Sequence, residues 1–130
     1  MKRLLLLAFS IIALAACNKS GTNPIIGQWE LSESDGGLAG NIKYAPGNGN
    51  IMGFDNGGTY TIFQSGSPVL KGTYKIARAS PFLPDYWLYL TSPGINAGLS
   101  GDSVRITDNK LIFLTRLLCC DEPTIIYLRK

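Results

Sequence analysis

The two adjacent cysteines near the end of the chain are the residues best suited to carry chemistry. Cys119 and Cys120 are followed by Asp121 and Glu122, and the sequence contains no histidine. Because the usual general base and the commonest metal ligand are missing, Ser-His-Asp, Cys-His and histidine–metal centres are excluded. Under oxidising conditions two adjacent cysteines can form a vicinal disulfide, which is strained and therefore more easily reduced than most.

Three interpretations of this pair stay open. The cysteines are structural residues, free or bonded to each other, or they are a redox-active dithiol, or they bind a metal. Only Asp121 and Glu122 lie nearby as further metal ligands, and a structural zinc site needs four good ligands. We therefore favour the structural interpretation and expect neither a metal nor another cofactor.

The acidic residues show no pattern typical of acid–base catalysis. Most of them stand in turn-forming contexts, namely Asp55, Asp85, Asp102 and Asp108. Glu30 falls on the predicted solvent face of the first strand, and no serine has a histidine to activate it. We therefore expect that the protein is not an enzyme and has no catalytic residues.

The first 16 residues have the pattern of an export signal. Lys2 and Arg3 precede an apolar run over residues 4–14, and small residues follow at Ala15 and Ala16. The apolar run is shorter than the ~20 residues that a transmembrane helix needs. An ordinary cleaved signal, followed by an incidental cysteine at position 17, is one interpretation.

The four residues Leu14-Ala15-Ala16-Cys17 resemble the lipobox of bacterial lipoproteins. The resemblance implies cleavage before Cys17, a diacylglycerol on its sulfur and an acyl chain on its amine. One acyl chain binds a membrane only marginally, whereas two or three anchor it stably. We thus expect a flexible tether over residues 17–24 and a membrane as partner. Asn18 is not the aspartate that often retains such proteins in the inner membrane. The resemblance therefore implies a location in the bacterial cell envelope, at the periplasmic side of the outer membrane.

Composition indicates one globular domain, which we place at residues 25–130. Apolar residues make up 45% and charged residues 16%, against about 25% charged in average proteins. Without Lys2 and Arg3 the ten basic and nine acidic side chains nearly balance. No basic patch indicates a nucleic-acid partner.

Short β-type runs between turn residues predict an all-β fold. Because most of the connections are tight, we expect an eight-stranded up-and-down antiparallel β-barrel. The alternative, a two-sheet sandwich, needs long crossing connections, and only residues 34–50 are long enough. The predicted strands are 26–33, 51–54, 59–64, 69–77, 86–91, 103–107, 110–116 and 124–129.

In such a barrel, the tether and the C-terminus lie at one end, and most of the longer connections gather at the opposite end, the mouth. Apolar residues in these connections are predicted either to line a ligand entrance or to plug the barrel. They are Leu38, Ile42, Tyr44, Ile95, Leu99, Leu117 and Leu118.

Gly27-Gln28-Trp29 resembles the Gly-x-Trp motif in the first strand of lipocalins and fatty-acid-binding proteins. The resemblance implies that a basic residue near the end of the last strand packs over the tryptophan, and Arg129 has that position. Gly27, Trp29 and Arg129 would then form a structural barrel floor, through a cation–π contact of about 0.5–2 kcal/mol.

The order of motifs also resembles small lipocalin-like lipoproteins of Gram-negative bacteria. The motifs are the lipobox, Gly-x-Trp, the stretch from Phe54 to Tyr60, Gly72-x-Tyr74 and Cys119-Cys120-Asp121. This resemblance implies a lipid-anchored barrel that binds a small hydrophobic molecule. The alternative is an envelope interaction or structural protein that uses outer-face aromatics, such as Tyr86 or Trp87, or the 34–50 connection, with a protein partner that the sequence does not identify.

Overall fold

The computed structural model describes residues 23–92, 101–114 and 123–130. The predicted signal, Cys17 and part of the predicted mouth therefore lie outside the described residues. The same is true of Cys119 and Cys120, and of the mouth candidates Ile95, Leu99, Leu117 and Leu118. Within the described ranges, no helix is long and apolar enough to cross a membrane.

The described chain folds into one antiparallel sheet that closes on itself. Eight strands follow one another around the barrel, and a short extra strand, β2, extends the edge of the first. The all-β, up-and-down barrel predicted from the sequence is confirmed, and the sandwich is excluded. The strands are β1 Gly27–Asp35, β2 Ile42–Lys43, β3 Ile51–Phe54, β4 Thr59–Gln64, β5 Ser67–Arg78, β6 Asp85–Thr91, β7 Asp102–Ile106, β8 Lys110–Phe113 and β9 Thr124–Arg129.

Closure takes place between the first and last strands, as predicted. β1 pairs with β9 from Trp29 opposite Arg129 to Asp35 opposite Thr124, with a register shift between Leu31 and Glu33. Because every strand of the barrel then has two neighbours, the wall has few unpaired backbone groups at its edges. The start of β1 and the end of β9 meet at one end of the barrel, which we call the floor.

The barrel interior holds a continuous apolar core, with each strand contributing alternate residues. In β5, Tyr74 is buried between the exposed residues Thr73 and Lys75, which is the alternation expected from the sequence. Ile25, just before β1, joins this core. The interior-facing residues of the core are at most 8% exposed: Trp29, Met52, Phe54, Tyr60, Tyr74, Leu88, Val104 and Leu111.

Two tight turns set the boundaries of β3, β4 and β5. Asp55 Oδ1 accepts hydrogen bonds from the backbone N–H groups of Gly57 (2.9 Å) and Thr59 (2.8 Å), which caps the turn between β3 and β4. The next turn has only two residues, Ser65 and Gly66, both with positive φ. Such a turn joins adjacent strands directly, so β5 starts at Ser67, two residues before the predicted start.

The connection over residues 34–50 is more regular than predicted. β3 ends its pairing with β1 at Ile51 opposite Glu30, although β1 continues to Asp35. Unpaired backbone groups on that edge would be costly to bury. The connection folds back to satisfy them, and its residues Ile42 and Lys43 pair with Ser34 and Glu33 as β2.

Candidate functional site

Arg129 lies against Trp29 at the barrel floor. Its guanidinium carbon is 4.2 Å from the centroid of the indole ring. The indole is fully buried, and its Nε1 donates a hydrogen bond to the Ile25 carbonyl at 2.7 Å. The structure therefore brings together the two residues for which the resemblance implied a cation–π contact.

The Arg129 guanidinium also donates to three backbone carbonyls. Its Nε reaches Asp108 (3.0 Å), its Nη1 reaches Ile26 (2.9 Å) and its Nη2 reaches Pro24 (2.9 Å). The planar fork of arginine is suited to such divergent acceptors. We call Arg129 with these partners the floor clamp, because it joins the end of β9 to the chain entering β1 and to the β7–β8 turn.

Gly27 is part of the same arrangement. Its φ is +131°, and a Cβ there would lie 3.0 Å from Nη1 of Arg129. A side chain at this position would therefore strain the backbone and crowd the guanidinium. The floor consists of mutually satisfied structural groups, which makes it a poor place for a ligand.

The opposite end of the interior is lined differently. Four apolar side chains that face the interior lie within three residues of the mouth ends of their strands. Each of them packs against the core and is only partly buried. Each is paired across the sheet with another interior residue, and directly opposed residues share a face. We call these four the mouth ring: Ile62, Leu70, Leu90 and Phe113.

Tyr127 and Tyr44 add phenol groups beside the mouth ring. The Tyr127 ring contacts Phe113 edge to face, with centroids 5.8 Å apart. Burial raises the pKa of Tyr127, and the nearby Tyr44 phenol raises it further. Tyr44 is held next to β1 because its backbone N–H donates to the Ser32 carbonyl at 2.9 Å.

The other described mouth candidates are more exposed. Leu38 is 98% exposed, and Ile42, on the short strand β2, is also exposed. Three of the seven predicted mouth residues are described, and among these three Tyr44 alone is partly buried.

Glu30 has a structural role that the sequence did not reveal. Its carboxylate accepts the backbone N–H groups of Gly47 (3.0 Å) and Gly49 (3.3 Å), and its side chain is only 14% exposed. The Gly47 bond is the main reason that the pKa of Glu30 is lowered, with smaller contributions from Gly49 and from Lys130, whose Nζ lies 3.9 Å away, while burial opposes the shift. Glu30 was expected on an open solvent face, but residues 44–50 cover it. The Gly-Asn-Gly sequence at 47–49 was the available signal in the sequence that the chain folds back there.

The outer wall carries a shallow groove near the floor. It encloses about 280 Å³ and is open to solvent over much of its area. Gly53 contributes no side chain between Gln28 and Thr61, its partners on the neighbouring strands. The groove therefore exists because Gly53 has no side chain to fill it, and it lies on the outside of the barrel.

The β5–β6 hairpin exposes large apolar side chains at the floor end. Phe82 is 92% exposed, and Leu83 and Trp87 are also exposed. Trp87 is on the outer face, opposite to the fully buried Leu88, as the alternation predicted. Tyr86 was named together with Trp87 as an outer-face aromatic, and this was wrong, because Tyr86 pairs with Val104 and packs against the interior core.

Asp55 and Asp85 both have structural partners. Asp55 caps a turn, whereas Asp85 begins β6 and binds Arg105 through both oxygens, at 2.8 and 3.3 Å. Among the described residues, no group of three or more cysteine or carboxylate side chains is arranged to hold a metal ion.

Comparison with known proteins gave no matching family model, no matching curated protein and no matching solved structure. The functional argument therefore rests on the closed barrel, on the different lining of its two ends and on the motifs of the sequence.

Proposed function

We propose that this protein is a non-enzymatic, lipid-anchored protein of the bacterial cell envelope whose barrel binds a small hydrophobic molecule at its mouth. The observation that carries the proposal is the mouth ring, whose apolar side chains face the interior yet are incompletely buried. Apolar lining with a few polar groups is typical of sites for small ligands. Tyr127 and Tyr44 would supply the polar groups.

The packing of the barrel favours the mouth over the floor as the binding site. The buried core residues below the mouth ring are at most 8% exposed, and the floor clamp occupies the base. A ligand would therefore enter only part of the way, which favours a small molecule over a long one. This lining also supports a ligand more directly than it supports catalysis, since the mouth ring has no ionisable group.

The lipobox-like residues ending at Cys17 support the anchoring part of the proposal. The described chain starts at the floor, where the clamp holds the carbonyl of Pro24. An anchor at Cys17 would thus join the closed end of the barrel to the membrane and leave the mouth accessible. Intact mass measurement of the membrane-purified protein would reveal the acyl groups.

Binding is tested by titrating the mature chain, produced without its acyl groups, with the small apolar fluorophore N-phenyl-1-naphthylamine. Leu70→Glu places a charge in the mouth ring and should weaken binding at least tenfold. Val69→Glu is the matched control, because Val69 is the neighbouring residue and is exposed; it should bind like the unsubstituted chain. No binding by the unsubstituted chain, or equal losses in both variants that remain folded by circular dichroism, would contradict the proposal.

A further inference from the structure

Three apolar side chains on the β5–β6 hairpin form an exposed surface, which we call the hairpin patch. It consists of Phe82 and Leu83 in the connection and Trp87 at the start of β6. With 92% of its surface exposed, Phe82 adds almost nothing to the core of the barrel. Exposed apolar side chains grouped on one hairpin are typical of a surface that meets another apolar phase.

The hairpin holds this patch in a defined position. The Ala79 N–H donates to the Asp85 carbonyl at 3.0 Å and closes the base of the connection. The Phe82 N–H donates to Ser80 Oγ at 3.2 Å, and the neighbouring Pro81 has a restricted φ. Asp85 is fixed in turn by Arg105. The apolar side chains are therefore presented by an ordered connection.

The hairpin patch lies at the same end of the barrel as the start of β1. Six peptide units separate Cys17 from Asn23, and at about 3.5 Å each they reach at most about 20 Å. β1 has nine residues, which corresponds to about 30 Å of strand. Cys17 therefore falls short of the mouth end of β1, and its point of attachment is the floor.

We propose that the hairpin patch inserts into the interface of the same bilayer that holds the acylated Cys17, so that the barrel stands floor down. This inference rests on the anchoring in the proposed function. Phe82 and Leu83 enter the boundary between headgroups and acyl chains, and Trp87 lies at headgroup level, where tryptophan is favoured. The tether limits the distance between barrel and bilayer, and the hairpin patch fixes the orientation of the barrel.

The acylated full chain, reconstituted into phosphatidylethanolamine–phosphatidylglycerol vesicles, tests this orientation. Phe82→Trp places a fluorophore in the hairpin patch, and Leu38→Trp places one at the mouth end; both positions are more than 90% exposed. The signal of the unsubstituted protein, which contains Trp29 and Trp87, is subtracted. On binding to vesicles, the added emission of F82W should shift to shorter wavelength than in buffer. It should fall at least twofold when brominated phospholipid replaces the ordinary lipid. The added emission of L38W should change little.

The outcomes separate the two proposals. Failure of the acylated chain to sediment with vesicles would overturn the anchoring and the orientation together. Sedimentation without quenching of F82W, or with equal quenching of F82W and L38W, would overturn the orientation and leave the anchoring intact. A shift of F82W emission that brominated lipid does not quench would assign the hairpin patch to a protein contact, including a second copy of this chain, and would also overturn the proposal.

Discussion

At Gly72 the barrel interior leaves no room for a side chain. An added Cβ would overlap the Thr91 carbonyl oxygen and would lie 2.7 Å from Cε1 of Tyr60. The hydroxyl groups of Tyr60 and Ser92 are hydrogen-bonded beside it, and both residues are buried. Because the obstructing atom at Thr91 belongs to the backbone, the wall itself would have to move to admit even a methyl group.

We therefore expect Gly72→Ala to lower the free energy of unfolding by about 1–3 kcal/mol, the usual range for overpacking. Gly53→Ala is the matched control, since Gly53 also lies within a strand but a Cβ there would approach nothing closer than 3.8 Å. It should change stability by no more than about 0.5 kcal/mol. Urea unfolding measures both values, and similar losses in the two variants would disprove the steric explanation.

At the scale of elements, residues 44–50 behave as part of the barrel wall. The Asn48 side-chain amide donates to the Leu31 carbonyl at 2.8 Å, and the Leu31 N–H donates to the Asn50 carbonyl at 2.8 Å. The Gly49 carbonyl accepts the Gly66 N–H at 3.0 Å, which joins the segment to the β4–β5 turn. Glu30 holds the middle of the segment through its two backbone hydrogen bonds.

The lowered pKa of Glu30 gives this segment a pH dependence. Folding favours the carboxylate, so the stabilisation is fully present above the ordinary pKa of 4.5 and is lost as pH falls through the lower folded value. We expect Glu30→Gln to be less stable than the unsubstituted protein at pH 7 and the difference to shrink steadily below pH 4.5. Urea unfolding at several pH values measures this difference.

Two further results would decide whether the backbone bonds carry the effect. Lys130→Met removes the 3.9 Å ion pair but not the amide bonds, so it should reproduce only a small part of the change. Hydrogen exchange at the Gly47 and Gly49 amides should become faster in Glu30→Gln. Unchanged exchange at both amides would contradict the assigned role of Glu30.

At the scale of the whole molecule, the floor clamp joins chain ends that are more than 100 residues apart. We expect Arg129→Met to lower the free energy of unfolding by about 2–3 kcal/mol, because a cation–π contact and charge-assisted hydrogen bonds are lost. Arg129→Lys should recover less than half of this, since an ammonium group cannot reproduce the planar fork.

Arg105→Met provides the comparison for the floor clamp. Arg105 pairs with Asp85 on the outer face and is itself well exposed. Loss of such a surface pair should cost no more than about 1 kcal/mol. Thermal and urea unfolding of the three arginine variants measure the ranking, and an Arg105→Met loss as large as that of Arg129→Met would refute the special role of the floor.

Local patterns were sufficient to predict most of the barrel. Alternating polarity located β4, β5 and β6 to within two residues, because a strand with one buried face repeats every second residue. Gly27, Trp29 and Arg129 were grouped through a motif resemblance, and closure of β1 on β9 brings Arg129 opposite Trp29. The bounds of β1 and β5 differ from the predicted bounds by one or two residues, because pairing across strands, not local polarity, sets where a strand ends.

Residue order by itself determined the class of fold, the order of the barrel strands and the pattern of inward and outward side chains, because these depend on turn residues and on a two-residue period. Only the tertiary structure shows that residues 44–50 cover Glu30 and that Gly72 has no space for a side chain. It also decides that Arg129 binds three carbonyls and that the hairpin patch lies at the same end of the barrel as the start of β1. Each of these joins residues distant in sequence, and such contacts exist only once the sheet has closed.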